Sequence, residues 1–481
     1  MTEGSDAYPY RFERTSSVGR LRERFSDLAA GAGSGATASI AGRLRTLRTH
    51  GQLAFADLED ASGRIQLFAS RDVLGEDAMD DFGRLSVGDV VGAEGEVVTT
   101  RRGELSLKVA RVTVLAPCLR SMPEKWHGMT EVESRYRQRY LDLLVNPAAR
   151  EVVTGRAAAN TAARRLLEER GFVEVETPIL HPLAGGAVAR PFQTHHNALD
   201  IDLFLRIAPE LYLKRLLIGG LERVYELNRS FRNEGVSSRH NPEYTMLEAY
   251  EAYADYHDTM SLVEDLVRAI AVAVNGSLEL TTPAASIDLE GAFRRITMFE
   301  AIEEGAGIDL RPAWDDHADD RLQAAVAELG VAQHPSWGRG KVVAEIFESC
   351  AEKALLQPTF VAGFPVEVSP LAKGHRSIEG FTEHADLIIG GVEMCPCYSE
   401  LNDPAEQRRR FEQQAQARTQ GDEEATLPDE DFLEAMSYGM PPAGGFGLGV
   451  DRLLTLLLGA SSIREVILFP TLRPPQTPSG G

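Results

Sequence analysis

Cysteine and lysine are scarce in this 481-residue chain. The four cysteines, Cys118, Cys350, Cys395 and Cys397, are too few and too irregularly spaced for a disulfide framework, and they lack the paired CxxC steps of a structural zinc site. Such usage fits a reducing compartment. Long apolar runs are missing: the longest, such as Leu453–Leu458, fall far short of the roughly 20 residues of a membrane helix. The segment MTEGSDAYPYRFERT has no apolar core of the kind a secretory signal carries. A soluble, cytoplasmic protein with no membrane partner is expected. Two nucleotide-binding signatures are absent as well. No stretch fits GxxxxGK[ST], and GFGLGV has Val450 where GxGxxG needs glycine. Positive charge is in deficit, 50 Lys+Arg against 72 Asp+Glu for a net −22. Taken alone this argues against a nucleic-acid partner, but net charge does not say where charges sit. Six of the basic residues are lysine, so arginine, which suits bidentate phosphate and carboxylate recognition, supplies nearly all the positive charge.

What is present is an ordinary globular composition, 43% apolar and 25% charged, with length for about two to four domains. An arm and a Gly/Ala/Ser linker (30–38) occupy residues 1–37, with helical potential in RLRERFSDLA. Residues 38–117 hold five short β-rich segments, SIAGRLR, LAFADLED, GRIQLFAS, VVGAEGEVV and ELSLKVARVTVL, with a helical piece over Val73–Leu85 between the third and fourth. That layout predicts a five-stranded OB-fold barrel, an oligonucleotide-binding scaffold. A charged connector (118–150) leads to residues 151–481. There, helices alternate with strand-like runs (FVEVETP, ERVYELNRSFR, YTMLEAYEAYAD, HADLIIGGVEM) without a βαβ rhythm, which predicts an α+β domain with a largely antiparallel sheet. Residues 303–357 read as a helical insertion and 421–433 as an acidic surface loop.

Charges embedded in strand-like surroundings are costly unless they are paired or used on a ligand. FRNEGVSSRHNPEYTMLEAYEAYADY concentrates them: Arg232, Glu234, Arg239, His240, Glu243 and Glu248. With period-2 alternation, Arg232 shares a strand face with Glu234, and Glu248 with Tyr250. The turn-rich GVSSRHNPE would close a hairpin carrying an Arg-His loop. Such a hairpin could clamp a polyphosphate through arginine, or be only a salt-bridged surface element. GFGLGVDR reads as a Gly-rich turn open to a ligand, with Arg452 at the start of the helix that follows.

FRNEG followed by RHNPEYTMLEAY resembles motif 2 of the class II aminoacyl-tRNA synthetases, and GLGVDRLLTLLLGASSIREVILFP resembles motif 3. EKWHGMTEVESRYRQRYLDLL and HHNALDIDLFLRIAPELYLKRLLIGG are similar to the lysyl members in particular. The resemblance runs from about AYPYRFERT to Arg473. It implies ATP-dependent formation of lysyl-adenylate and transfer of the lysyl group to tRNA(Lys), work done by positioning and charge stabilisation at the α-phosphate. Carried over, it puts Arg232 on the α-phosphate and the lysine carboxylate. Glu234 joins the ATP site, Arg239 and His240 reach the outer phosphates, and Tyr244 and Arg452 sandwich adenine, with Arg232 and Arg452 as the catalytic pair. Glu393 and Asp386 are the implied Mg²⁺ ligands. Glu210 and the Gly186 backbone hold the α-amino group of L-lysine, and Glu248, Tyr250, Tyr398 and Glu400 enclose its side chain. Arg48, Phe55, Gln66 and Glu104 contact the anticodon, although Phe55 could instead be a core aromatic. Relatives of this class are homodimers, which puts the helix around Arg156–Arg170 and FVEVETP at an interface; their apolar positions could equally be core.

Two positions depart from the family pattern. Asp386 replaces a glutamate, and Pro396 replaces an asparagine that helps to hold the lysine carboxylate. Cys395 and Cys397 beside it read as small pocket-lining residues, the alternative being a metal pair. The departures leave three possibilities: a lysine-specific synthetase with an altered pocket, a paralogue activating a lysine analogue for a biosynthetic or resistance pathway, and a non-catalytic tRNA-binding regulator. The charge deficit then resolves into separate tasks. RFERTSSVGRLRERF and AGRLRTLRTHGQ are Arg-rich, while acidity gathers in 303–328, 421–433 and the pocket, predicting a polarised surface.

Overall fold

The protein, a computed structural model, is described over residues 8–122, 129–183, 185, 186, 189–332, 337–419 and 428–474. Part of the acidic stretch, 421–427, and part of the connector, 123–128, lie outside the described residues. The chain divides into two compact units, Met1–Gly128 and Met129–Gly481.

In the first unit, strands β1 (Gly33–His50), β2 (Leu53–Asp60), β3 (Gly63–Ser70), β4 (Val90–Thr99) and β5 (Leu105–Ala116) close a barrel in the order β1-β2-β3-β5-β4. Alternation decides which residues fill it: Ala54, Ala56, Leu58, Ile65 and Leu67 are buried, while Phe55, Gln66 and Phe68 face outward. Gly95 sits at a register shift where a Cβ would meet the Lys108 carbonyl oxygen at 2.0 Å, so glycine is required there. Two expectations need correction. The Gly/Ala/Ser stretch is largely strand, since its small residues run along β4 from the Gly33–Val98 pair onward. The helix expected over Val73–Leu85 is two helices, Arg71–Leu74 and Glu76–Gly83, parted at Gly75, whose φ of +82° breaks the helix. The arm's helix is Val18–Arg24, capped by the Ser17 side chain.

The second unit is built on an eight-stranded sheet. Its strands are β6 (Val173–Glu174), β10 (Arg223–Phe231), β11 (Glu243–Ala252), β14 (Arg294–Thr297), β15 (Thr359–Ala362), β16 (His384–Ile389), β17 (Val392–Ser399) and β18 (Ala443–Gly449). The intervening strands β7 (Leu180–His181), β8 (Gln193–His196) and β9 (Ile201–Leu205) form a small sheet, and β12 (Glu279–Thr281) pairs with β13 (Ser286–Asp288). The large sheet runs β14-β15-β16-β17-β18-β11-β10-β6; only its two outermost pairs are parallel. Helices Pro147–Glu169 and Tyr256–Asn275 cover it, burying Ala159, Ala163, Leu167, Val263, Leu266 and Val267 in one core with Tyr225, Leu247 and Phe446. The apolar stripe of the first helix therefore belongs to the core of its own chain. FVEVETP contributes only the two-residue β6. The second helix begins with an Asp255–Asp258 capping box and ends at Gly276 with φ +68°. Residues 303–357 contribute helices Arg311–Asp315, Asp319–Leu329 and Arg339–Ile346, whose core takes in Val361 and Ile388 of the sheet. No helix among the described residues is long and apolar enough to cross a membrane.

Candidate active site

Three central strands carry a deep pocket. Tyr250 of β11, Gly445 of β18 and Tyr398 of β17 lie in one row across the sheet. A Cβ at Gly445 would meet Glu400 Oε1 at 2.2 Å and the Tyr250 ring at 2.5 Å, so the missing side chain makes the space between the tyrosines. Glu248 stands opposite Gly447 in the next inward-facing row, and the Tyr250 hydroxyl donates to Glu248 Oε2 at 3.4 Å. Glu400 follows β17, with its amide bound to the Ala443 carbonyl at 2.8 Å. Glu248, Tyr250, Tyr398, Glu400 and Gly447 line a cavity of about 290 Å³ together with Gly186, Glu210, Arg232, Tyr244, Asp386, Glu393 and Pro396. Gly186 adopts φ +87°, a conformation that side-chain-bearing residues rarely take.

The pocket is acidic and buried. Burial, reinforced by the Glu210 and Glu226 carboxylates, pushes Glu248 up to about 8. Burial also raises Glu400 to about 7, even with Lys214 alongside it. Lys214 Nζ, wholly buried, lies 2.6 Å from Glu210 Oε1 and 2.5 Å from Glu400 Oε2; the two carboxylates outweigh desolvation and hold its pKa above the ordinary value. Glu400 Oε1 is buried without a partner. A carboxylate oxygen left so is costly, and an incoming ammonium group would satisfy it.

A second cavity, about 130 Å³, shares Arg232, Tyr244, Met246, Glu393, Pro396 and Gly447 with the first and adds Glu234, Arg239, His240, Gly449 and Arg452. Arg232 stacks over Tyr244 at 5.4 Å, and Arg232 Nε and Tyr244 Oη are buried without partners, polar atoms suited to a ligand. Arg452 donates to the Glu393 carbonyl at 3.0 Å and lies 3.5 Å from its carboxylate. Asp451, next in chain, binds the Thr245 amide at 2.7 Å and pairs with Arg156, tying the start of the helix Val450–Leu457 to β11. Burial and the Arg452 charge keep His240 below its usual value, and its Nδ1 lies 2.9 Å from Ser237 Oγ.

Glu393 and Asp386 both line the first cavity. Asp386 is pushed up by burial and pairs with His384 Nε2 at 2.7 Å. Glu393 is partly exposed, and its amide is bound by Glu352 at 2.9 Å. These are hard oxygen donors of the kind Mg²⁺ takes. No cluster of three His/Cys/Asp/Glu among the described residues forms a metal site by itself.

On the barrel, Arg48, Phe55, Gln66 and Glu104 line one groove of about 950 Å³ with Phe68, Arg101, Arg102 and Lys108. Phe55 stacks on Phe68 at 5.3 Å on the outer face, so the core alternative for Phe55 fails. Cations outnumber carboxylates along this groove.

Other readings change. Arg232 and Glu234 do not share a strand face: β10 ends at Phe231, and both lie in the loop, where the Arg232 amide binds the Pro242 carbonyl at 2.8 Å. GFGLG is strand, not turn, because its glycines clear room for side chains of the neighbouring strands. Cys395 and Cys397 are fully buried on the core face of β17, opposite Pro396 and Tyr398, and do not line the pocket. Sequence reasoning missed Lys214 and His384. The signal for Lys214 was an i,i+4 Glu-Lys pair inside apolar ELYLKRLLI; His384, whose ring lies 4.4 Å from that of Tyr398, carried none.

A deep acidic pocket opening onto an arginine-lined cavity over an antiparallel sheet, in a chain that also carries a barrel with an aromatic, basic groove, defines an enzyme of the synthetase type. Residues 131–473 match the family described as tRNA synthetases class II (D, K and N), and residues 38–115 match the OB-fold nucleic acid binding domain. The chain belongs to the class II tRNA synthetases of this group. It is 50% identical to the lysine--tRNA ligase of Moorella thermoacetica over 471 residues, 98% of this chain and 95% of that protein. The lysine--tRNA ligase of Syntrophomonas wolfei is likewise 50% identical, over 98% of this chain and 94% of its own length, and that of Xanthomonas oryzae pv. oryzae 50% identical over 97% and 93%.

Proposed function

We propose that this chain is a lysine--tRNA ligase that activates L-lysine with ATP and transfers it to tRNA(Lys), and that the two adjoining cavities are its lysine and ATP sites. The observation that carries this is Glu400 Oε1, a buried, unpartnered carboxylate oxygen of an acidic pocket that Arg232 also lines. The side-chain ammonium of lysine fits between Glu400, Glu248 and Tyr250. Glu210 and the Gly186 backbone take the α-amino group, and Arg232 takes the carboxylate and the α-phosphate. A shorter or neutral side chain leaves Glu400 unpaired, which rejects it strongly. Arg239 and His240 bind the outer phosphates, Glu234 stands beside them, and Tyr244 and Arg452 hold adenine. The lysine carboxylate attacks the α-phosphorus as its bond to the α,β-bridging oxygen breaks and pyrophosphate leaves, with no covalent enzyme intermediate; Arg232 stabilises the developing charge. Glu393 and Asp386 would hold Mg²⁺, which when bound neutralises phosphate charge. The barrel groove takes the anticodon, with Phe55 stacking on a base.

Two further points follow from the same reading. We infer a homodimer, supported by Val173, Ile179 and Leu180, exposed large apolars that lie close together in the chain; light scattering tests it. Pro396, on the wall shared by both cavities, favours a second reading in which a lysine analogue is used in preference. Amino-acid-dependent ATP–pyrophosphate exchange decides between them. Lysine giving the highest kcat/KM supports the ligase, whereas an analogue outrunning lysine, with lysine inert, overturns it.

A further inference from the structure

Lys214 is wholly buried, yet it is absent from the walls of the lysine cavity and plays no part in the chemistry above. It begins the second turn of the helix Glu210–Ile218, and its ammonium bridges Glu210 Oε1 at 2.6 Å and Glu400 Oε2 at 2.5 Å. The bridge joins the two carboxylates assigned to opposite ends of the substrate, one on the helix and one after β17. We propose that Lys214 is the fixed counter-ion of the lysine pocket, a positioning residue that turns Glu400 Oε1 toward the substrate and sets the pocket's charge to match an amino acid carrying two ammonium groups.

The proposal rests on the lysine-pocket reading above. With all groups ionised, the carboxylates of Glu210, Glu248 and Glu400 against one internal ammonium leave two negative charges, the number that the two ammonium groups of lysine cancel. The substrate carboxylate is met separately by Arg232. Without Lys214 these three carboxylates would carry three charges, and in so buried a site the excess is met by taking up a proton rather than by standing ionised. An amino acid with one ammonium group leaves a charge uncancelled, so discrimination comes from charge as well as shape. Geometry adds to this. Glu400 keeps one oxygen on Lys214 and offers the other, so its rotamer is fixed before the substrate arrives. The titratable and charged groups facing Lys214 are Glu210 on its own helix, Glu400 beyond β17 and Tyr250 of β11, whose ring lies 5.9 Å from Nζ; Glu248 and Tyr398 lie beyond them. The neighbouring helix Glu430–Ser437 sends its N-terminal acids, Asp429 and Asp431, to Arg215 instead.

The test is lysine-dependent ATP–pyrophosphate exchange by wild type, Lys214→Met and Lys214→Arg across pH 6 to 9. Wild type that gives no lysine exchange sinks the ligase reading itself, apart from this inference. With wild type active, Lys214→Met is expected to raise the lysine KM about tenfold or more, with kcat changed by less than about threefold. Its KM should also reach a plateau at higher pH than that of wild type, while Lys214→Arg keeps the wild-type pH profile. Equal losses in both variants with no change in pH profile would mean a packing role only and overturn the proposal, as would an unchanged KM in Lys214→Met. If Lys214→Met does not fold, Lys214→Gln takes its place as the charge-removing variant and is read by the same expected and overturning outcomes.

Discussion

Asp386 of β16 stands directly across from Pro396 of β17, so the two positions at which the resemblance implies a departure face one another in the same wall of the pocket. Proline is tolerated there for local reasons. The register between β16 and β17 slips just before it, between Leu387 and Ile388, and pairing with β18 begins one residue later, at Cys397. The position is thus a ladder boundary, where a missing N–H costs least.

The first prediction concerns that wall. Pro396→Asn supplies an amide able to donate to the lysine carboxylate. One such hydrogen bond contributes about 1 kcal/mol, so the lysine KM in the exchange assay should fall by about threefold to tenfold. A KM that stays the same would mean that Arg232 already meets the carboxylate fully.

The second follows from Glu248, raised to about 8 by burial and by Glu210 and Glu226. In the empty pocket at pH 7 the carboxyl keeps its proton, whereas an ammonium ligand selects the ionised form. Lysine binding should therefore release protons at pH 7, and affinity should rise with pH to about 8 before levelling. Calorimetry in two buffers of different ionisation enthalpy reads the release, and Glu248→Gln should reduce it. Stability runs the opposite way from affinity. The unfolded carboxyl ionises near 4.5 while the folded one holds its proton to about 8, so folding loses stability as pH rises through that window. Ligand-free Glu248→Gln should show a flatter fall in Tm over that range.

How far these features were legible follows from where the signal sits. The barrel's alternation and the hairpin of β10 and β11 are periodic and local, so the sequence displays them directly. Lys214 and Glu400 are 186 positions apart, and nothing local announces their contact. GFGLG misled because glycine reads as a turn residue, while its use here is to leave space for side chains on neighbouring strands. Cys395 and Cys397 misled because period 2 puts them on one face without saying which face is the core.

Gly445 gives the third prediction. A methyl group there collides with Glu400 Oε1 and the Tyr250 ring, both buried. Gly445→Ala should raise the lysine KM by tenfold or more, at about 1.4 kcal/mol per factor of ten. The KM for ATP should change much less. Equal effects on both substrates would point to general disruption of the sheet.

Asp451 gives the fourth. It is 2% exposed, accepts the Thr245 amide and pairs with Arg156, which also donates to the Val466 carbonyl. Asp451→Ala leaves a largely buried guanidinium without its counter-ion, a loss of about 3–5 kcal/mol. Urea unfolding should register it. Arg156→Met/Asp451→Leu, which removes both charges, should be less destabilised than Asp451→Ala. A double variant no more stable than the single one would mean that the Thr245 bond, not the ion pair, dominates.

The fifth prediction separates the barrel from the chemistry. Phe55 stacks on Phe68 on the outer face of the barrel, in a groove where Arg48, Arg101, Arg102 and Lys108 supply positive charge. A base stacking on such a ring contributes about 1–3 kcal/mol, so Phe55→Ala should raise the KM for tRNA(Lys) by about fivefold to a hundredfold. Exchange of ATP and pyrophosphate, which needs no tRNA, should be unchanged, because the cavities proposed for lysine and ATP are lined by residues of the second unit alone. Core stability should change little, since Ala54, Ala56 and Leu58, not Phe55, fill the barrel. If Phe55→Ala lowers exchange and aminoacylation alike, or unfolds the barrel, then the ring is structural and the anticodon binds another face.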